Sequence, residues 1–165
     1  MRLIGDAQVT FGEAARAAGI TEKQLRNWLD KGQVLLIGDN KREQGQWRKF
    51  AIIDLIRLAA VGRLVGYGLD VSTAYELVRN MVDAGAPEIT ALSSRVMTLK
   101  QLKSTLRGRR IAVSRQQDGE LSIYAAYETK DALNTADLTD FVFLDIGKVA
   151  ASTLDRFLAD ETADA

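Results

Sequence analysis

The chain contains neither cysteine nor histidine. Without cysteine there is no disulfide and no thiolate to act as nucleophile or ligand. Zinc would have to be held by carboxylates alone, against its preference for nitrogen and sulfur. The commonest general base is missing as well. No carboxylate pair or Ser/Lys pair stands out as a catalytic site, and Gly5, Gly66 and Gly68 do not sit in the strand-to-helix context of a phosphate-cradling loop. The chain is therefore expected to bind rather than to catalyse, with no metal and no cofactor. No apolar run approaches the roughly 18 residues that cross a bilayer. The start, Met1-Arg2-Leu3-Ile4-Gly5-Asp6, lacks the basic-then-apolar pattern of a secretory signal. A cytoplasmic location is the expectation, with no membrane partner.

Net charge is also absent, since 22 basic residues balance 22 acidic ones. The balance hides a segregation. Residues 1–80 carry 12 Lys/Arg against 9 Asp/Glu. Residues 89–117 carry seven basic side chains (Arg95, Lys100, Lys103, Arg107, Arg109, Arg110, Arg115) and no acid, whereas residues 118–165 hold 3 basic against 11 acidic. Two basic zones and one acidic zone suggest an anionic partner at one end of the molecule, with solvated charged faces as the plain alternative.

The length of 165 residues fits one medium domain or two small ones. Helix starts come early. Thr10-Phe11-Gly12-Glu13 and Thr21-Glu22-Lys23-Gln24 both have capping-box spacing: a Thr hydroxyl meets the N–H three residues on, and the Glu or Gln there reaches back. Gly19 lies between them, where a first helix must end. Ala14, Ala15 and Ala18 suit close helix packing. Leu25, Trp28 and Leu29 give the second helix an apolar face, and Trp28 reads as core. Helices are expected over 11–18 and 22–31, joined by a tight turn, which is the helix-turn-helix arrangement.

Val34-Leu35-Leu36-Ile37 then reads as a strand, 38–45 as a polar, Gly-flanked loop, and Gln46-Trp47-Arg48-Lys49-Phe50 as a returning strand. Trp47 either packs under this hairpin or braces it. A third helix is expected near 51–65, with Ile52, Leu55, Ile56 and Ala59 on one face. Gly66-Tyr67-Gly68 breaks it. Asp70 or Ser72 can cap a fourth helix carrying Val71, Ala74, Tyr75, Val78, Met81 and Val82 at helical spacing. Helix, turn, helix, hairpin, helix, helix is a winged-helix order.

These pieces resemble the DNA-binding domain of the MerR family. The resemblance runs through Thr10-Phe11-Gly12-Glu13-Ala14-Ala15, Gly19-Ile20-Thr21, Leu25-Arg26-Asn27-Trp28, Lys31-Gly32, Gly45-Gln46-Trp47-Arg48-Lys49-Phe50, Asp54-Leu55 through Leu58, and Leu64-Val65-Gly66-Tyr67-Gly68-Leu69-Asp70. It covers about 70 residues, and its weight lies in order and spacing. Asn27-Trp28 stands where the family has an aromatic pair, and Trp47-Arg48-Lys49-Phe50 replaces its aromatic-Arg-aromatic wing. Family activators continue into a long coiled-coil dimerisation helix, where this chain has Asp83-Ala84-Gly85-Ala86-Pro87, and Pro disfavours helix at the residue before it. Metal-sensing members use Cys, which this chain lacks.

The resemblance implies double-stranded DNA as partner, with the second helix in the major groove. Lys23, Gln24 and Asn27 are the candidate base readers: Gln or Asn can read adenine bidentately, and Lys can read guanine. Arg26 is the implied phosphate clamp. On the wing, Lys41, Arg42, Arg48 and Lys49 would meet backbone or minor groove, fixing register rather than sequence. With Thr21, which opens the helix, these nine residues form the candidate DNA-binding set.

Beyond the proline, residues 88–106 keep helical spacing through Ile89, Leu92, Val96, Leu99, Leu102 and Leu106. Arg107-Gly108 ends that run. Strands are expected at 111–113 and 121–127, flanking an Asp118-Gly119 hairpin signal, and a third at 141–146. Residues 130–139 read as loop. A helix over 148–159 would place Val149, Thr153, Leu154, Phe157 and Leu158 inward, and the acidic last residues read as frayed. Two domains result. Residues 1–82 are a winged helix-turn-helix, and residues 88–165 are a small α+β unit for oligomerisation or effector sensing. The fold class is mainly α with a small β component.

The second unit has three open roles: self-association into a homodimer, sensing of a small ligand, or contact with another protein. The basic stretch 95–115 either extends the DNA footprint or pairs with the acidic 118–165 segment. The leading function is a sequence-specific transcriptional regulator. The alternatives are a phage-type architectural DNA factor (an excisionase or a packaging recognition subunit) and an interaction or ligand-binding module that no longer meets DNA.

Overall fold

A computed structural model describes residues 9–36, 48–84, 104, 106–115, 121–127 and 140–163. The fold is mainly helical with a small sheet. Helices α1 (Phe11–Ala18) and α2 (Glu22–Asp30) come first, followed by α3 (Ile52–Gly66) and α4 (Val71–Ala84). Strands β1 (Arg109–Arg115), β2 (Leu121–Tyr127) and β3 (Asp140–Asp145) lead into α5 (Ile146–Ala163).

Both expected capping boxes form. Thr10 N–H donates to Glu13 Oε2 at 2.8 Å, and Glu13 N–H points back to Thr10 Oγ1 at 3.5 Å. The α2 box is tighter: Thr21 N–H to Gln24 Oε1 is 2.9 Å, and Gln24 N–H to Thr21 Oγ1 is 3.1 Å. Gly19 caps α1 at φ 72°, a left-handed conformation that costs a side-chain-bearing residue. The turn between the helices is therefore set by three local decisions, two caps and one glycine.

Helix α3 is central: α1, α4 and α5 all pack against it. Ile52 through Val61 are buried without interruption, so the single apolar face expected for this helix is instead a fully enclosed three turns. Two of the buried residues are charged. Asp54 accepts from the Ala51 N–H at 3.0 Å, fixing the helix start, and Arg57 Nη1 stands 3.9 Å from Asp54 Oδ1. A buried charge is tolerated only where it is paired and hydrogen-bonded.

Most of the expected wing, 37–47, lies outside the described residues. At its root, Val34 and Leu36 are buried and Leu35 is 61% exposed, the alternation of a strand, but 33–36 join no ladder among the described residues. Phe50 forms an antiparallel bridge with Val9, with N–H···O distances of 3.2 and 3.1 Å. Met81 and Val82 fall within α4, and the Gly85-Ala86-Pro87 break lies outside the described residues. So does the 88–106 helix, save for Ser104 and a fully buried Leu106, both helical. The 130–139 loop and the Asp118-Gly119 turn are outside as well.

The sheet is antiparallel in the order β2-β1-β3. Arg115 pairs with Leu121 at one end of the β1–β2 ladder, and Arg109 with Tyr127 at the other. Strand β3 stops at Asp145, one residue earlier than expected, because Asp145 caps the next helix: its Oδ1 accepts from Lys148 N–H at 3.0 Å. Helix α5 consequently starts at Ile146 and runs on to Ala163, beyond the frayed end expected from composition. Val149, Thr153, Leu154 and Phe157 are buried and Leu158 partly so, as their spacing predicts. Thr153 meets its hydrogen-bonding need within the helix, donating to the Val149 carbonyl at 2.8 Å.

One apolar core joins the two sequence segments. Leu25, Trp28, Leu55 and Leu64 belong to the same buried cluster as Ile111, Leu144, Leu154 and Phe157. Helix α5 makes the connection, packing on α1 and α3 on one side and on β1 and β3 on the other.

Candidate nucleic-acid interface

Helix α2 divides cleanly. Leu25, Trp28 and Leu29 are buried, while Thr21, Lys23, Gln24, Arg26 and Asn27 are all exposed. The division follows from spacing, since residues 25, 28 and 29 share one face of a helix and leave 23, 24, 26 and 27 on the rest. The expected reading helix thus presents every one of its candidate side chains to solvent.

Those side chains are not equivalent. Gln24 Oε1 already accepts from the Thr21 N–H and, at 3.0 Å, from the Thr21 hydroxyl. Bidentate recognition of adenine needs an amide oxygen and an amide nitrogen together. While the cap holds, Gln24 has only its NH2 group to offer. Thr21 is likewise engaged as the cap. Lys23 and Asn27 face solvent on the same helix.

Arg26 stands over an aromatic plate. Its guanidinium carbon lies 5.7 Å from the centre of the Phe11 ring. Phe11 in turn meets Phe50 edge to face, with centroids 5.9 Å apart and planes at 62°. Phe50 is almost fully buried and is tied to Val9. A chain of contacts therefore runs from the core through two rings to an exposed cation, which restricts where that cation can go. The motif Thr10-Phe11 was visible in sequence only as a helix start, and nothing in its spacing signals that Phe11 supports a residue fifteen positions on.

Of the four wing cations, Lys41 and Arg42 lie outside the described residues. Lys49 is exposed. Arg48 is partly buried, and its Nη2 stands 3.9 Å from Asp30 Oδ1 at the end of α2. The chain just before Phe50 is thereby tied to the C-terminal end of α2, a link between residues eighteen positions apart that escapes sequence inspection.

Beneath the wing root lies the buried Asp54–Arg57 pair. Tyr75 of α4 is almost fully buried, and its hydroxyl donates to the Leu35 carbonyl. Burial pushes its pKa above the ordinary 10.0, with Arg57 opposing that shift. At the α3–α4 turn, Asp70 caps α4 by accepting from Thr73 N–H at 3.0 Å, and hydrogen bonding from Thr73 holds its carboxyl below the usual 3.8. Asp70, rather than Ser72, is therefore the cap.

The second segment reaches this site as well. The guanidinium of Arg156 on α5 lies against Gly19, so close that a Cβ at Gly19 would be 2.7 Å from Nη1. Cationic groups are favoured at a helix C-terminus, and Gly19 ends α1. Elsewhere Arg110 Nε stands 3.8 Å from Asp145 Oδ2, so at least one member of the basic stretch pairs with the acidic segment of its own chain.

Two short capped helices, a glycine turn, an exposed polar second helix and a supporting helix beneath define a helix-turn-helix domain. Residues 9–81 match the family described as MerR HTH family regulatory protein, so the N-terminal part of the chain is a MerR-like helix-turn-helix domain. The likeness is to DNA-binding regulators and spans less than half of the chain. No curated protein matches the chain. Among the described residues no helix is long and apolar enough to cross a membrane, and no three acidic side chains converge as a metal site.

Proposed function

We propose that this protein is a sequence-specific regulator of transcription that reads double-stranded DNA with α2 in the major groove. The observation that carries the reading is the division of α2, whose apolar face is spent in the core while Lys23, Arg26 and Asn27 stand exposed. Lys23 and Asn27 are the base readers, with Gln24 contributing through its NH2 group and Thr21 holding the helix start. Arg26, braced on Phe11, clamps a phosphate. Lys41, Arg42, Arg48 and Lys49 set the wing against the backbone. The work is binding, not catalysis, and takes place in the cytoplasm.

Residues 1–82 act as the DNA reader and residues 88–165 as the unit that sets oligomeric state, with a dimer as the assembly. The shared core favours a second unit that is mechanically coupled to the reader, through α5 against α1 and α3. Selection of binding sites from a pool of random duplexes tests the proposal. A short recurrent motif is expected, and recovery of unrelated sequences would overturn sequence-specific reading. Clustered sites with strong bending would instead mark an architectural DNA factor.

A further inference from the structure

The turn Gly19-Ile20-Thr21 decides where α2 points, and three different elements hold it. Thr21 belongs to α2 itself, as its N-cap. Ile20 leans on α3, where its Cγ2 would stand 2.7 Å from a Cβ at Gly62. Gly19 is met by α5. A Cβ at Gly19 would lie 2.7 Å from Nη1 of Arg156, 3.4 Å from Cζ and 3.5 Å from Nη2, so the guanidinium lies along the glycine backbone. The first two supports fall within residues 9–81, and Arg156 lies outside that segment.

The position suits the charge. Arg156 is partly buried and its Nε fully so, which leaves the tip of the side chain to end at the turn. There the Gly19 N–H bonds back to the Arg16 carbonyl and the Ile20 N–H to the Ala15 carbonyl, each at 3.0 Å. Those bonds close α1, and the carbonyl end of a helix carries partial negative charge that a cation stabilises. Glycine is needed at 19 twice over. It adopts the φ of 72°, and it leaves room for the guanidinium. Asparagine tolerates such a φ, but it would carry a Cβ into Arg156.

We propose that Arg156 is a positioning residue for DNA reading, a role that rests on α2 as the reading helix. Through it the second segment holds the α1–α2 turn closed, and with it the start of α2, in the geometry that meets DNA. Arg156 itself makes no contact with DNA. A reader whose turn opens binds in proportion to the fraction that stays competent.

The test uses the full chain and Arg156→Met, which keeps an apolar stem about as far as Nε and removes the guanidinium. Native-state hydrogen exchange reads the turn without DNA. The Gly19 and Ile20 amides should exchange roughly two- to fivefold faster in the variant, the scale of one cation at a helix end. Affinity for every duplex should fall by about the same factor at a temperature where the variant is fully folded, with the salt slope unchanged. Val78→Ala removes buried apolar volume from α4. It should lower the urea midpoint and leave both turn exchange and affinity as in the wild type, which separates positioning from general stability. Gly19→Asn should displace the guanidinium from the other side and reproduce both effects, and adding Arg156→Met to it should cost nothing further. Unchanged exchange at Gly19 and Ile20 in Arg156→Met, an equal change in Val78→Ala, or additive losses in the double variant would overturn the proposal. So would a salt slope reduced by about one unit in Arg156→Met, which would make Arg156 a phosphate contact. The exchange readout needs no DNA, so failure of the turn contact is distinct from failure of the wild type to bind DNA.

Discussion

The guanidinium carbon of Arg26 lies 5.7 Å from the centre of the Phe11 ring, and Phe11 is itself held edge-on by Phe50. The exposed cation on α2 thus has a fixed support reaching into the core. Arg26→Ala should weaken binding to every duplex by roughly 1–3 kcal/mol, since a phosphate contact is blind to sequence. Phe11→Leu keeps an apolar side chain in place but removes the aromatic face. It should cost binding less, about 0.5–1 kcal/mol, the scale of an exposed cation–π contact. Fluorescence anisotropy on specific and unrelated duplexes measures both.

The cap of α2 is a separable contribution. Thr21→Val removes the oxygen that meets the Gln24 N–H and should lower stability by about 1 kcal/mol, whereas Thr21→Ser should leave it nearly intact. The midpoint of urea unfolding reports the difference. With its oxygen no longer held by the Thr21 hydroxyl, Gln24 gains freedom, so base preference should broaden in the Val variant and not in the Ser variant.

Two glycines of α3 should respond in opposite directions. A Cβ at Gly62 would stand 2.7 Å from Cγ2 of Ile20, in the helix-turn-helix turn, whereas nothing lies within 4 Å of one at Gly66. Gly62→Ala overpacks the helix against the turn and should cost about 1–3 kcal/mol. Gly66→Ala meets no obstacle and should gain up to about 1 kcal/mol from helix propensity. Thermal unfolding of the two variants separates close approach from propensity.

Tyr75 gives the protein a limit in alkali. Its folded pKa is raised by burial above the ordinary 10.0. The proton is therefore held more tightly in the folded state than in the unfolded one. The stability this contributes is fully present below pH 10.0 and is lost as pH rises through the folded value. Tyr75→Phe should be less stable at neutral pH, by about 1 kcal/mol for the lost hydrogen bond to Leu35. The gap between wild type and variant should narrow as the pH climbs above 10.0, as urea midpoints at a series of pH values will register.

The buried pair in α3 is a point of fragility. Removing either partner takes the opposite charge away from a buried group. Asp54→Ala and Arg57→Ala should each lower stability by about 3–5 kcal/mol. The double variant should cost less than the sum, because the second deletion removes the charge stranded by the first.

The local parts of the fold were legible in sequence, and the long-range parts were not. The two capping boxes, the Gly19 turn and the buried Leu25, Trp28 and Leu29 depend on spacings of three or four residues, and all stand as the spacing implies. The Asp54–Arg57 pair also had a local signal, an acid and a base three residues apart in an otherwise apolar helix. Its burial was hidden because nothing in residues 52–61 shows that α5 covers their second side. The contacts Arg26–Phe11, Arg48–Asp30 and Arg156–Gly19 depend on how separate elements meet. For the same reason a chain whose charge and motifs divide it in two shares one core.

The central claim is that α2 carries this protein onto DNA. Its most direct test is the salt dependence of binding to one duplex, for the wild type and for Arg26→Ala. About four to six neutralised phosphates should give a slope of roughly −4 to −5 in log K against log salt, and the variant should lose about one unit of that slope. Binding that ignores salt, or an Arg26→Ala slope equal to that of the wild type, would contradict the placement of α2 at the DNA.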